Sequence, residues 1–146
     1  MARGLGCQIV RAKDASPGVT GFSYAQGISS ATVGAKALCL QLATIPPGAR
    51  TKAHLHTDHE SAAYIISGQL VFWFGEGLWG KVTAGPGDFL YVPPGYIPPG
   101  VPHLSLNGSK TDLVVAVLAR TDPNEHESTV LLPELDDVDH VLAADA

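Results

Sequence analysis

The stretch Gly48-ARTKA-His54-Leu55-His56-TDHESAAYIIS-Gly68 decides how this chain folds and what it can hold. It follows the turn Pro46-Pro47-Gly48, runs polar and extended over Thr51–His56, and reads as a strand over Ser61–Ser67, closed by Gly68. In an extended strand, residues i and i+2 point to one face. His54 and His56 therefore stand side by side. Two neutral imidazoles on one face are a chelating pair, and a third nitrogen or oxygen donor closes a metal site. Taken alone, an H-x-H pair is a weak signal, because such pairs also occur on ordinary surfaces and in cores.

The pattern of this stretch continues on both sides. Ala37–Ile45 reads as a strand upstream. Downstream, Gln69–Phe74 is a strand ending at Gly75-Glu76-Gly77, a hairpin signal. Trp79–Thr83 runs into the turn Ala84-Gly85-Pro86-Gly87-Asp88, and Phe89–Val92 leads into a proline-rich loop. His103–Leu106 follows, Asn107-Gly108 turns, and Leu113–Ala119 is a further apolar strand. Short strands at this spacing predict a sandwich or barrel. The first 35 residues are glycine-rich and read as irregular; from about Pro133 the last residues give a weak helical signal. Within the proline loop, Pro93-Pro94-Gly95-Tyr96-Ile97 is nearly repeated as Pro98-Pro99-Gly100-Val101-Pro102. Proline fixes φ and removes a donor, so this is a stiff loop outside any ladder, either a harmless insertion or part of a pocket rim.

With 146 residues the chain is expected to be a single domain, 1–146. Its 45% apolar and 16% charged content excludes intrinsic disorder. Sixteen glycines and eleven prolines disfavour a helical bundle. No apolar run is long enough to span a membrane, and MARGLGCQIV lacks the apolar core of a signal peptide. Two cysteines, Cys7 and Cys39, exclude a disulfide scaffold, and Cys39 within ALCLQLATI reads as a buried thiol. A reducing cytoplasm is expected. The net charge of −5 is uneven: residues 121–146 hold eight acidic side chains and no basic ones. Such a tail repels phosphate, so nucleic acid is not an expected partner. It reads as a solvated end that could be removed after Pro133 with little loss of stability, Val130-Leu131-Leu132 being the part that packs on the barrel. His126 and His140 read as surface residues.

The first stretch, together with Gly87-DFLYV-Pro93 and Pro98-Pro99-Gly100-Val101-Pro102-His103-LSL-Asn107, resembles the two signature motifs of the cupin superfamily. The first motif is Gly, five residues, His-x-His, three or four residues, Glu, six residues, Gly. The second is Gly, five residues, Pro-x-Gly, two residues, His, three residues, Asn. The resemblance covers about 38–119. It implies an all-β fold: one jelly-roll β-barrel of the cupin type, with an irregular N-terminal extension and the acidic C-terminal tail. It also implies one divalent transition metal ion (Fe, Mn, Ni, Cu or Zn) held inside the barrel by His54, His56, His103 and a carboxylate. By the same resemblance the chain is expected to form a homodimer.

Two departures from the motifs matter. Counting back from Gly68 puts Ser61 where the family has its ligand Glu, and Glu60 falls one residue early. On a regular strand Glu60 faces away from Ser61. A β-bulge would turn it inward. Glu60 is taken as fourth ligand or general base, with His59 or an open three-histidine site as rivals. The second departure is the duplicated loop, which leaves the spacing from Pro98 to Asn107 intact. Phe72, Trp73, Phe74, Trp79 and Tyr91 read as barrel core rather than a substrate platform, and Asp88 as a turn former. The resemblance leads to a metalloenzyme acting on a small organic molecule, dioxygenase-like in the first place. A cupin isomerase or lyase, or a non-enzymatic cupin that binds a small ligand or metal, stands as the alternative.

Overall fold

The computed structural model describes residues 6–12, 16–17, 22–94, 101–124 and 129–145. Two antiparallel sheets make up the molecule. One contains β1 (Ser16–Pro17), β2 (Ser23–Ile28), β3 (Cys39–Ile45), β5 (Ser61–Ser67), β8 (Phe89–Val92) and β10 (Val114–Arg120), in the order β1-β2-β3-β10-β5-β8. The other contains β4 (His54–His56), β6 (Leu70–Phe74), β7 (Gly80–Ala84), β9 (His103–Asn107) and β11 (Thr129–Leu131), in the order β11-β4-β9-β6-β7. Strands distant in sequence lie side by side, as in a jelly roll.

The space between the sheets is filled from alternate positions of each strand. Ile45, Ile65, Leu70, Ala84, Val114 and Ala116 form one buried cluster drawn from both sheets. Full burial of a side chain such as Ile65 contributes about 1.5–3 kcal/mol. This cluster plugs one part of the interior and leaves a cavity in the rest. Gly68 joins β5 to β6 at φ +84°, where a Cβ would strike the backbone of Leu113 and Val114. A left-handed φ and a close backbone approach both call for glycine.

The second sheet has an apolar outer face as well. Ala53, Trp73, Leu78, Leu104, Leu106 and Val141 form a second buried cluster there, with Leu132, Leu135 and Val138 packed against it. This corrects the reading of the acidic tail as a solvated end. β11 pairs with β4, and the chain then passes through a 3-10 turn (Pro133–Leu135) into helix α2 (Asp139–Asp145). Val141 is 1% exposed. The Asp136 carboxylate accepts the Ala53 amide at 2.6 Å. Nor does His140 lie free on the surface: Nε2 donates to the Leu78 carbonyl at 2.8 Å, and the ring stacks on Trp79 at 3.7 Å. His126 lies outside the described residues.

The N-terminal region also holds more structure than its glycines suggested. β2 pairs along β3 from Ser23↔Thr44 to Gln26↔Gln41, with an irregularity at Gly27. Helix α1 (Ser30–Val33) follows, closed at its start by a reciprocal capping box between Ser29 and Thr32. Residues 95–100 of the duplicated proline loop lie outside the described residues. No helix among the described residues is long and apolar enough to cross a membrane.

Candidate metal centre

β4 is only three residues long and is held on both sides, by β11 through Thr129↔His56 and Leu131↔His54 and by β9 through His54↔His103. Leu55 turns outward, so the same-face rule sends both flanking imidazoles between the sheets. The register with β9 brings His103 beside them. One nitrogen of each of His54, His56 and His103 lies within 4.8 Å of the others. Ring centroids are 5.0 Å apart for His54–His56, 4.2 Å for His54–His103 and 5.1 Å for His56–His103. Phe72 lies over His103 at 5.2 Å.

The partners of these rings fix their chemistry. His54 Nδ1 donates to the Lys52 carbonyl at 2.7 Å, and His103 Nδ1 to the Val101 carbonyl at 2.8 Å. A carbonyl only accepts, so each Nδ1 carries its proton and each Nε2 keeps a lone pair. The Thr129 hydroxyl stands 3.3 Å from His56 Nδ1, where it can donate or accept a hydrogen bond. Burial disfavours the imidazolium at all three. It lowers His54 against the opposing pull of the Lys52 carbonyl. Burial, then repulsion from His103 and His54, pushes His56 down to about 2. Burial and then repulsion from His54 push His103 down to about 3. Three neutral imidazoles, two of them with the tautomer set by a carbonyl at Nδ1, suit a divalent transition ion.

Glu60 is not part of this group. It is exposed, and its carboxylate accepts the Tyr91 hydroxyl at 2.7 Å on the outer side of the first sheet. The structure thus does not bring Glu60, expected as fourth ligand or base, to the three imidazoles. No bulge turns it inward, since the β5–β10 register runs regularly from Ser61↔Arg120 to Ile65↔Ala116. The irregularity lies further on, between the partners of Val115 and Ala116. His59, the rival candidate, is buried 4.6 Å from His56 by ring centroid, and neither ring nitrogen has a hydrogen-bond partner. Its Nδ1 is 3.8 Å from the Asp122 carboxylate. Burial, then the nearby Arg120 cation, holds its pKa below the ordinary histidine value.

A cavity of about 80 Å³ opens between the sheets at this centre. His54, His56, His103 and Phe72 line it from one sheet, Ser61, Leu90, Leu118 and Arg120 from the other. Phe22 and Tyr24 line it as well, whereas Trp73 packs in the outer cluster and Trp79 and Tyr91 are exposed. Asn107, which ends the second motif, is structural. Its Nδ2 donates to the Ile45 and Asp112 carbonyls at 3.0 and 2.7 Å, and its Oδ1 accepts the Ser109 amide at 2.8 Å. Sequence reasoning missed Arg120, the last residue of β10; the alternation Val114, Ala116, Leu118, Arg120 would have placed it inward.

A fold of this topology, with an imidazole cluster between its sheets, defines a cupin. The family model for the cupin domain matches residues 41–119, more than half of the chain, and the chain belongs to that family. No curated protein matches it in sequence. Among solved structures it is similar to Lactobacillus farciminis oxalate decarboxylase in a formate complex, at a TM-score of 0.64 and 15% identity over 82% of this chain and 33% of that one. It is also similar to Bacillus subtilis oxalate decarboxylase, a structure concerned with its Mn(II) centres, at a TM-score of 0.60 and 21% identity over 88% and 30%. A third is an Acidithiobacillus ferrooxidans protein provisionally described as a sugar phosphate isomerase, at a TM-score of 0.53 and 25% identity over 67% and 58%. The chain thus spans about a third of the length of the decarboxylases.

Proposed function

We propose that this cupin is a metal-dependent enzyme that holds one divalent transition ion per chain on His54, His56 and His103 and acts on a small organic molecule, with dioxygenase-type chemistry as the leading reading. The observation that carries the reading is the convergence of three buried imidazole donors within 4.8 Å on one side of a cavity. A bound ion of this kind would supply Lewis acidity and coordination positions open to substrate or oxygen. The chain's own contributions are orientation and exclusion of water. Lys52 and Val101 fix the ring tautomers, and Phe72 and Leu118 give the cavity apolar walls.

The test is elemental analysis of protein purified without added metal, followed by oxygen uptake with catechols, diketones and thiols. About one ion per chain is expected, lost in His54→Ala and in His103→Ala and retained in Glu60→Ala. Full occupancy in the His54→Ala/His103→Ala double variant would overturn the site. Turnover without oxygen uptake would favour the isomerase or lyase reading.

A homodimer is part of the proposal. β8 is a sheet edge, and Phe89 on it is 80% exposed beside Tyr91 and Tyr64, an apolar strip of the kind that pairing covers. Light scattering should give twice the chain mass, and Phe89→Lys should reduce it to one; a monomeric parent protein would reject the pairing. Cys7 and Cys39, neither of them in a disulfide, suit the cytoplasm as its setting.

A further inference from the structure

Among the described residues no carboxylate forms an ion pair with Arg120. This arginine closes β10 with Cys39 of β3 on one side and Ser61 of β5 on the other. Its side chain lines the cavity from the wall opposite the imidazoles and is buried, with the residue 6% exposed. Nη2 donates to Gln41 Oε1 at 2.9 Å and reaches Cys39 Sγ at 3.7 Å. Nε is buried with no hydrogen-bond partner. Among the described residues the ion pairs are Arg50–Asp137 and His59–Asp122, and neither involves Arg120. The neighbouring Ser61 hydroxyl is also buried and unpartnered, and it lines the same cavity. A buried guanidinium costs several kcal/mol unless it is paired. A guanidinium in the wall of a cavity can pair with an anion that enters it.

Ser61 is also the position at which the first motif has its carboxylate. Where the motif has a carboxylate, this wall carries the Ser61 hydroxyl, with the Arg120 cation paired beside it across the strands. We propose that Arg120 and Ser61 form the anion-binding end of the cavity, and that the substrate is a short carboxylic acid. Its carboxylate pairs with the guanidinium and the serine hydroxyl, and its other end turns to the three-imidazole centre. This rests on the reading of that centre as a metal site. Arginine presents a planar fork that matches a carboxylate in a bidentate pair. At about 10–15 Å³ for each water-sized occupant, the cavity of about 80 Å³ holds five to eight such units, the size of a 2-oxo or 2-hydroxy acid of three or four carbons. Phe72, Leu90, Val92 and Leu118 offer its remaining carbons apolar contacts.

The experiment is calorimetric titration of the protein, Mn(II)-loaded and metal-free, with pyruvate, L-lactate and malonate, and with pyruvamide and lactamide as uncharged counterparts. At least one acid should bind, and tenfold or more tighter than its amide. Arg120→Gln should weaken that acid by about 10- to 100-fold, the range of a charge-assisted pair, and leave the amide unchanged. Arg120→Lys should restore part of the loss, and Ser61→Ala should weaken the acid by a smaller factor. Because Arg120→Gln removes an unpaired buried charge, its ligand-free melting temperature should equal or exceed the parent's. The inference is overturned if no acid in the set binds, if acid and amide bind alike, or if Arg120→Gln binds the acid as the parent does. Metal content, measured on the same samples, separates the two claims. Arg120-dependent acid binding in a protein that takes up no metal would overturn the metal reading and leave the anion site standing.

Discussion

His103 and His54 each donate Nδ1–H to a carbonyl two residues back along the chain, just before their own strands, so the tautomer is set before any ligand arrives. This has a consequence for pH. The folded state holds these rings neutral well below the ordinary histidine pKa of about 6.5, and His103 titrates only near 3. Between those values the unfolded chain binds a proton that the folded chain does not, so stability falls as pH falls. The slope contributed by His103 approaches about 1.4 kcal/mol per pH unit below 6.5. Urea unfolding of metal-free protein from pH 7.5 to 4.5 should show this loss, and His103→Asn should flatten it by nearly one proton; an unchanged slope in the variant would refute the assignment. The same-face pair His54 and His56 was legible in the sequence because a two-residue period has one geometric meaning. Glu60 was not, because the side that it faces depends on a bulge, and the bulge lies further along β5.

β5 and β8 run over the residues that composition and turn signals mark out, since Gly68 ends the first and Gly87 stands just before the second. Gly68 can be put to the test. Alanine there meets both a left-handed φ and the backbone of Leu113 and Val114. Gly68→Ala should lower stability by about 1–3 kcal/mol from strain alone, read as a lower urea midpoint. Gly48→Ala, at φ +71° but in open space, should cost less; equal losses would show that the close approach is not felt. β2 was not legible, because its pattern of two buried neighbours, Tyr24 and Ala25, followed by a glycine irregularity, has no clean period. It is a strand because β3 supplies its hydrogen bonds, and tertiary context of that kind overrides local propensity.

Across the whole molecule, the acidic tail shows how charge can mask a buried face. Leu132, Leu135, Val138 and Val141 recur every third residue and all pack on the outer cluster, while the acidic residues lie between them. The period was present in the sequence, but eight carboxylates dominated the reading. Deleting residues 134–146 should lower the melting temperature by several degrees, since burying Val141 alone contributes about 1.5–3 kcal/mol; an unchanged transition would show that the tail adds nothing. β11, paired directly to the short strand that bears His54 and His56, sets the order in which the centre can form. His54 meets His103 across 49 residues of chain and Leu131 across 77. Closing loops of that length is slow, and contacts so distant in sequence form late in folding. A chain in which β9 has not yet reached β4 offers an incoming ion His54 and His56 without His103. An ion bound there would act as a brake on unfolding rather than a nucleus for folding, lengthening the life of the native state without hastening its arrival.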